Sequence, residues 1–276
     1  MAFSVNTNAS ALSALQNLNI TDRALGKVQT QINTGLKVAS SKDNAAVFAI
    51  AQSLRADVSG LNAVKSSLDR AMSTIDVAVA AGEAVSDLLI EMKEKAVAAK
   101  DSGLDTSSRT ALNDEFEELR DQITSIVSNA EFNGTNVVAS GGSDIVAITN
   151  DDGSSTITIA AQDLSLGSAN VSVASTTTID TVTNAAATVS AIDASITAVN
   201  SSLSALGAGA KRLELQQAFA NKLSDTIQIG IGNLVDADMA KASATLQALQ
   251  VKQQLGLQAL SIANQAPQAA VSLFQG

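Results

Sequence analysis

Residues 61–96 read LNAVKSSLDRAMSTIDVAVAAGEAVSDLLIEMKEKA. Within them Leu61, Val64, Leu68, Ala71, Ile75, Ala78, Gly82, Val85, Leu89, Met92 and Ala96 recur at alternating steps of three and four. That is the period of one face of an α-helix. At the usual rise the stretch makes a helix about 54 Å long with one apolar seam. Gly82 sits in the seam at a cost of about 1 kcal/mol relative to Ala, which points to close helix approach. The same steps return in Leu112, Phe116, Leu119, Ile123, Ile126 and Ala130. Between the two runs lies Asp101 to Ser108, a turn followed by residue types that cap helices, so an antiparallel pair is expected. A third seam runs Ile192, Ile196, Val199, Leu203, Leu206, Ala210, Leu213, Gln217, Ala220, Ser224, Ile227, Ile231 and Leu234. Three such helices can close one bundle.

Working outward, the two ends carry stripes of their own. Ala11, Leu18, Leu25 and Ile32 recur every seven residues, with Leu15 and Val28 interleaved and Asp22 interrupting. At the other end Met239, Ala242, Leu246, Leu249, Gln253, Gly256, Leu260 and Ala263 follow three-four steps, while Val251, Leu255 and Ile262 lie off that seam. The C-terminal helix is therefore apolar on more than one face. One partner helix cannot cover it, and such surfaces call for further partners. The residues expected to pack the interior of an assembly are Leu12, Leu15, Leu18, Leu25, Ile32, Leu246, Leu249, Leu255, Leu260, Ile262 and Leu273.

The middle differs in composition. Phe132-Asn133-Gly134 is a turn signal. Ile145–Ile148 and Thr156–Ile159 flank Asn150-Asp151-Asp152-Gly153-Ser154-Ser155 and read as a β-hairpin, and Val171-Ser172-Val173 reads as a further short strand. From Asp121 to Asp193 there are eight acidic residues and no Lys or Arg, so this segment is expected to face solvent and cap the far end of the bundle. The expected fold is mainly α: a nested antiparallel helical coiled-coil rod formed by both termini and a central bundle, with a small β-hairpin element. The expected division is residues 1–42 with 236–276 as the terminal coiled coil, 43–135 with 185–235 as the helical bundle, and 136–184 as a surface-exposed insertion.

Composition narrows function. The chain has no Cys, His, Trp or Tyr. Triads built on His, and zinc sites built on Cys or His, are thereby excluded. The acidic cluster Asp114, Glu115, Glu117, Glu118 and Asp121 reads as a solvated helix face. No catalytic, metal or cofactor site is expected. The net charge of −10 opposes nucleic-acid binding. The opening residues lack a basic stretch followed by an apolar one, and the stretch after Lys252 is too rich in Gln and Asn to span a bilayer. Neither a cleaved signal nor a membrane anchor is expected, and neither nucleic acid nor membrane is an expected partner.

Several motifs resemble one family. Thr34 to Ala51, TGLKVASSKDNAAVFAIA, resembles the SSGLRINSAKDDAAGLAIA segment of bacterial flagellins. Asn6-Thr7-Asn8-Ala9-Ser10-Ala11-Leu12 is similar to their opening, and Phe132-Asn133-Gly134 to the turn that ends their second core helix. Ala263-Asn264-Gln265-Ala266-Pro267-Gln268 and Val271-Ser272-Leu273 are similar to their C-terminus. The likeness covers roughly residues 1–138 and 190–276, and the short middle resembles alphaproteobacterial flagellins. The resemblance implies a structural subunit that polymerises, alone or with other flagellins, into an extracellular flagellar filament used for motility. It implies export by the flagellar apparatus without a cleaved signal, with a chaperone, and hook-associated and cap proteins as partners. It implies a subunit-contact loop at Lys42, Asp43 and Asn44, where Asp43-Asn44 stands for the family's Asp-Asp. It also implies O-linked sugars on exposed hydroxyls, with Ser143, Thr149, Ser154, Ser155, Thr156, Ser172 and Thr176 as candidates. The alternatives are a hook–filament junction protein of the same superfamily and a non-flagellar exported helical adhesin.

Overall fold

The structure is a computed structural model that describes residues 7–272, with side chains described as far as Gln265. Its elements in chain order are α1 (Ala9–Thr34), α2 (Ala45–Ala99), α3 (Thr106–Asn129), β1 (Glu131–Phe132), β2 (Thr135–Asn136), β3 (Ile145–Ile148), β4 (Thr156–Ile159), α4 (Val182–Val235) and α5 (Met239–Ser272). They divide into two compact units, residues 57–225 and residues 1–56 with 226–276.

The larger unit is built on the first seam. All eleven of its members, Leu61 to Ala96, are buried, Gly82 among them. A Cβ on Gly82 would lie 2.8 Å from Leu203 Cδ2, so the missing side chain lets α4 approach α2 closely. Phe116, Ile123 and Val127 of α3 and Ile192, Val199, Leu206 and Leu213 of α4 complete the core. Two ion pairs mark the flanks of α2: Lys93 with Asp193 of α4 at 2.6 Å, and Lys95 with Glu115 of α3 at 2.5 Å. Local chemistry sets the helix ends. Asp105, extended at ψ 162°, accepts from Ser108 N–H and caps α3. Arg109 donates to the carbonyls of Ala99 and Asp101, which covers acceptors left open where α2 stops.

Both strand pairs are antiparallel. Asn133 (φ 50°) and Gly134 (φ 80°) form the two-residue turn between β1 and β2, the geometry that an Asn-Gly pair adopts at least cost. In the β3–β4 hairpin, Ile145, Ala147, Ile157 and Ile159 alternate inward. The hairpin does not cap the far end. It lies along α2 and α4 at the end away from the α2–α3 turn: Ile148 N–H donates to Ser67 Oγ, Gln216 Nε2 donates to Thr149 O, and Ile159 packs over Gly209. Two strands alone cannot bury an apolar face, so the hairpin takes the bundle as its second layer.

The expectation of a solvent-facing middle holds for one face only. Val137, Val138, Leu164, Val171, Val173 and Ile179 are all in the core, while Asp144, Asp151 and Asp152 are exposed. Residues 171–173 are not a strand. Their backbone is held by hydroxyls instead, with Ser172 N–H donating to Ser195 Oγ at 3.0 Å. Asn113 Oδ1 accepts from Ile179 N–H, and Arg120 Nη1 donates to Thr177 O. Side-chain pairing thus satisfies buried backbone without a sheet.

In the smaller unit α1 and α5 run antiparallel. Asn8 Nδ2 donates to Ala263 O, Gln253 Nε2 donates to Asp22 Oδ1, and Leu18 lies over Gly256. The polar residue that interrupts each seam thus meets the other. A short backbone clasp follows, with Lys37 N–H on Val235 O and Ala237 N–H on Gly35 O. Val38, Ala51 and Val235 form a small core beneath it.

Candidate functional site

The candidate sites are surfaces. Within the smaller unit, the α1–α5 pairing consumes one face of each helix. On α1 the inward positions are Ala11, Ala14, Leu18, Thr21, Leu25, Val28 and Ile32. Ala14 and Thr21 take the place that the sequence reading assigned to Leu15, which stays exposed. A small residue and a hydroxyl bonded to its own helix at Asn17 O let the two backbones approach. On α5 Ala242 is buried and Leu246, Leu249, Gln253, Gly256, Leu260 and Ala263 are half-buried against α1. The off-seam residues remain uncovered. Leu12 is 60% exposed, Leu255 58% and Ile262 69%, and Leu15 and Val251 are also exposed. Ile20 and Leu257 join this apolar surface and were not singled out from sequence, although both stand off the seam positions. Leu273 lies outside the described residues.

The loop between α1 and α2 is occupied internally. Asp43 Oδ2 accepts from Ala39 N–H, Ser40 N–H and Ser40 Oγ, and Oδ1 lies 4.0 Å from Lys27 Nζ. Asn44 Oδ1 accepts from Val47 N–H at the start of α2. Of the three loop residues Lys42 and Asn44 are exposed, and the Lys42 side chain makes no hydrogen bond or ion pair among the described residues. All the candidate hydroxyl residues except Thr149 are exposed, and Ser143, Ser155, Thr156 and Thr176 make no hydroxyl hydrogen bond among the described residues. Ser154 Oγ accepts from Asn150, Thr149 is half-buried, and Ser172 Oγ bonds to Ala191 O and Ser195.

Three of the five acids on α3 are engaged: Glu115 with Lys95, Glu117 with Asn113 and Arg120, and Asp121 also with Arg120. Among the described residues no group of three or more carboxylates is placed to hold a metal. A cavity of about 230 Å³ lies beside Ser67, Arg70, Thr74 and Asp144. Two of its hydroxyls are engaged with backbone: Ser67 Oγ accepts from Ile148 N–H, and Thr74 Oγ1 donates to Arg70 O. By length and composition alone α4 could cross a membrane, but its apolar stripe lies in the core of the larger unit.

Two family models match: the bacterial flagellin N-terminal helical region over residues 5–143 and the bacterial flagellin C-terminal helical region over residues 189–274. Flagellin FljM of Caulobacter vibrioides is 47% identical over 272 residues, 99% of this chain and 98% of the relative. A flagellin of Brucella melitensis is 36% identical over 99% of both chains. A solved structure from Vibrio parahaemolyticus, titled as a hook-associated protein candidate, aligns with a TM-score of 0.58 at 13% identity over 70% of this chain and all of the other, which bears on fold alone. With both helical regions matched in order and relatives alike along their full length, this chain belongs to the bacterial flagellin family, whose members are structural subunits of the flagellar filament.

Proposed function

We propose that this chain builds the filament through its terminal helices and performs no catalysis. The observation that carries the reading is the apolar surface left on α1 and α5 after they have paired: Leu12, Leu15, Ile20, Val251, Leu255, Leu257 and Ile262. Exposed apolar residues gathered on two paired helices mark a surface for a partner, and copies of the same chain can supply one. In this reading Leu18, Leu25, Ile32, Leu246, Leu249 and Leu260 hold the helix pair together, and the outward residues contact neighbouring copies. Residues 1–42 with 236–276 are the polymerising domain, 43–135 with 185–235 the outer bundle, and 136–184 the outward element. Lys42 is the member of its loop left for a neighbour, with Asp43 and Asn44 shaping the loop. The exposed hydroxyls of Ser143, Ser155, Thr156 and Thr176 are the better acceptors for sugars, ahead of Thr149, Ser154 and Ser172.

Hook-associated and cap proteins border the polymer at its ends. Export runs through the flagellar apparatus with a chaperone and without a cleaved signal, and neither nucleic acid nor membrane takes part. Full-length likeness to filament flagellins supports this over the junction-protein reading. The chain has no cysteine, which provides the test. Ile262→Cys should react with a thiol reagent in the monomer and be shielded in the filament. Thr156→Cys, on the insertion, should react in both. Equal labelling of Cys at 262 in monomer and filament would rule the reading out.

A further inference from the structure

The cavity of about 230 Å³ in the larger unit is lined by hydrogen-bonding groups that the fold leaves unused. It lies between α2, the β1–β2 turn and the outer edge of β3. The register shows which groups that edge offers. Thr149 N–H bonds to Ser155 O at 2.9 Å, so the bonded pairs of the hairpin are Thr149–Ser155, Ala147–Ile157 and Ile145–Ile159. Val146 and Ile148 stand between them and point their N–H and C=O groups away from β4. Ile148 follows this rule: its N–H reaches Ser67 Oγ of α2 at 3.2 Å. Val146, next along the same edge, lines the cavity, and its N–H and C=O have no partner among the described residues.

Four side chains add to it. Ser67 is 7% exposed; its Oγ accepts from Ile148, while its own hydrogen has no acceptor among the described residues. Thr74 is 8% exposed; its hydrogen goes to Arg70 O, which leaves lone pairs on Oγ1. The Arg70 guanidinium makes no hydrogen bond or ion pair among the described residues. Asp144 uses Oδ1 to accept from Ala161 N–H, and its Oδ2 is free. Arg70 and Asp144 thus line one cavity without pairing with each other. The donors are Ser67 O–H, Val146 N–H and Arg70; the acceptors are Thr74 Oγ1, Val146 C=O and Asp144. The two charges cancel. An anion would meet the Asp144 carboxylate, and an apolar ligand would leave Ser67 and Val146 unpaired in a desolvated site. A neutral ring of neighbouring hydroxyls, each able to donate and to accept, matches the set. Its C–H face suits the ring of Phe132, which also lines the cavity. The volume is below the roughly 300 Å³ of a site for a drug-sized ligand and suits one hexose-sized ring.

We propose that this cavity binds one neutral sugar ring, with Arg70 and Asp144 holding its hydroxyls and Phe132 lying against its C–H face. Every residue of the site belongs to the unit of residues 57–225. The site uses none of the terminal apolar surface, so the inference goes beyond the filament reading and does not depend on it.

The test is amide NMR on the full chain, labelled with nitrogen-15 and made in cells that attach no sugar. Glucose, galactose and N-acetylglucosamine, each as the reducing sugar and as the methyl glycoside, are titrated in turn. At least one should give saturable shifts at the Ser67 and Val146 amides, with a dissociation constant on the order of 1 mM. Arg70→Met and Asp144→Asn change exposed positions, so helical circular dichroism should be unchanged, while each weakens binding by about tenfold. Arg212→Met, which removes an exposed cation on α4, should leave binding as it is. Equal binding of a sugar and its methyl glycoside would make the end of a glycan the natural ligand; binding of the reducing sugar alone would make it a free sugar. No saturable shift with any of them would overturn the inference. Shifts of full size in both variants would do so too. Saturable shifts at the same amides with free serine and none with the sugars would assign the cavity to an amino acid and overturn it as well.

Discussion

Gly60 sets two opposite effects against each other. It lies inside α2, where replacing Gly by Ala ordinarily stabilises a helix by about 1 kcal/mol. A Cβ at Gly60, however, would stand 2.6 Å from Asp151 O, 2.9 Å from Asp151 Cβ and 3.1 Å from Asp151 Cα. These atoms belong to the backbone and stem of the β3–β4 turn, not to a flexible side-chain tip, so relief requires moving the turn. The turn is held by Gln216 on Thr149 O and by Ser67 on Ile148 N–H, at 3.2 Å each, and a shift strains both. Overpacking of this kind costs about 1–3 kcal/mol, and a backbone clash belongs at the upper end. The net expectation for Gly60→Ala is a loss of about 1–2 kcal/mol after the helix gain is subtracted. In a unit of 169 residues that lowers the melting temperature by about 4 °C. Gly207→Ala on α4 is the control. No atom lies within 4 Å of its Cβ position, so it should raise the melting temperature by about 2–4 °C. Circular dichroism melts of the monomers decide it. If Gly60→Ala stabilises as much as Gly207→Ala, the hairpin turn is not seated on α2 and the packing argument fails.

Other perturbations have equally definite signs. Asn113→Ala removes the acceptor for Ile179 N–H in the core and should cost about 1–3 kcal/mol in urea unfolding; a neutral result would mean that the segment before α4 is not docked on α3. Ile262→Asp alters a residue 69% exposed in the smaller unit, so monomer helicity should survive while seeded assembly is lost, and normal assembly would count against the outward face of α5. Asp105, Asp152 and Asp180 are held below the ordinary carboxylate range by hydrogen bonds, first from Ser108, the Ser154 N–H and Asn184 respectively. Folded carboxyls that bind protons less readily than unfolded ones stabilise the fold above the ordinary Asp value of about 3.9, and lose that contribution as pH falls through their own lower values. The triple Asn variant should therefore show a shallower acid-side loss of melting temperature than the unmodified chain, and an unchanged slope would refute the capping geometry.

The bundle was legible because its signal is repetitive. Every member of the Leu61–Ala96 seam is buried, as one period over ten steps requires. The Asn133-Gly134 turn and the hairpin strands Ile145–Ile148 and Thr156–Ile159 were legible from turn chemistry and alternation. The placement of the middle was not. A segment of eight carboxylates without a cation reads as solvated, yet its isolated apolar residues, Leu164, Val171, Val173 and Ile179, enter the core one at a time. They have no period, and the hydroxyl and amide bonds that hold them span 10 to 66 residues in sequence. Leu15 stands off the α1–α5 contact for a related reason: that face is taken by the small Ala14 and by Thr21. Asp22 and Gln253 each looked like a flaw in a stripe, and only their meeting across α1 and α5 explains them.

Copies of this chain should be one another's partners, through surfaces that pairing within the chain leaves open. Negative-stain electron microscopy of the purified full chain, incubated with short sonicated seeds of the same polymer, tests it most directly. Long tubes of uniform diameter should lengthen from the seeds as monomer is consumed. Monomers that persist beside unextended seeds would show that copies of the chain are not one another's partners.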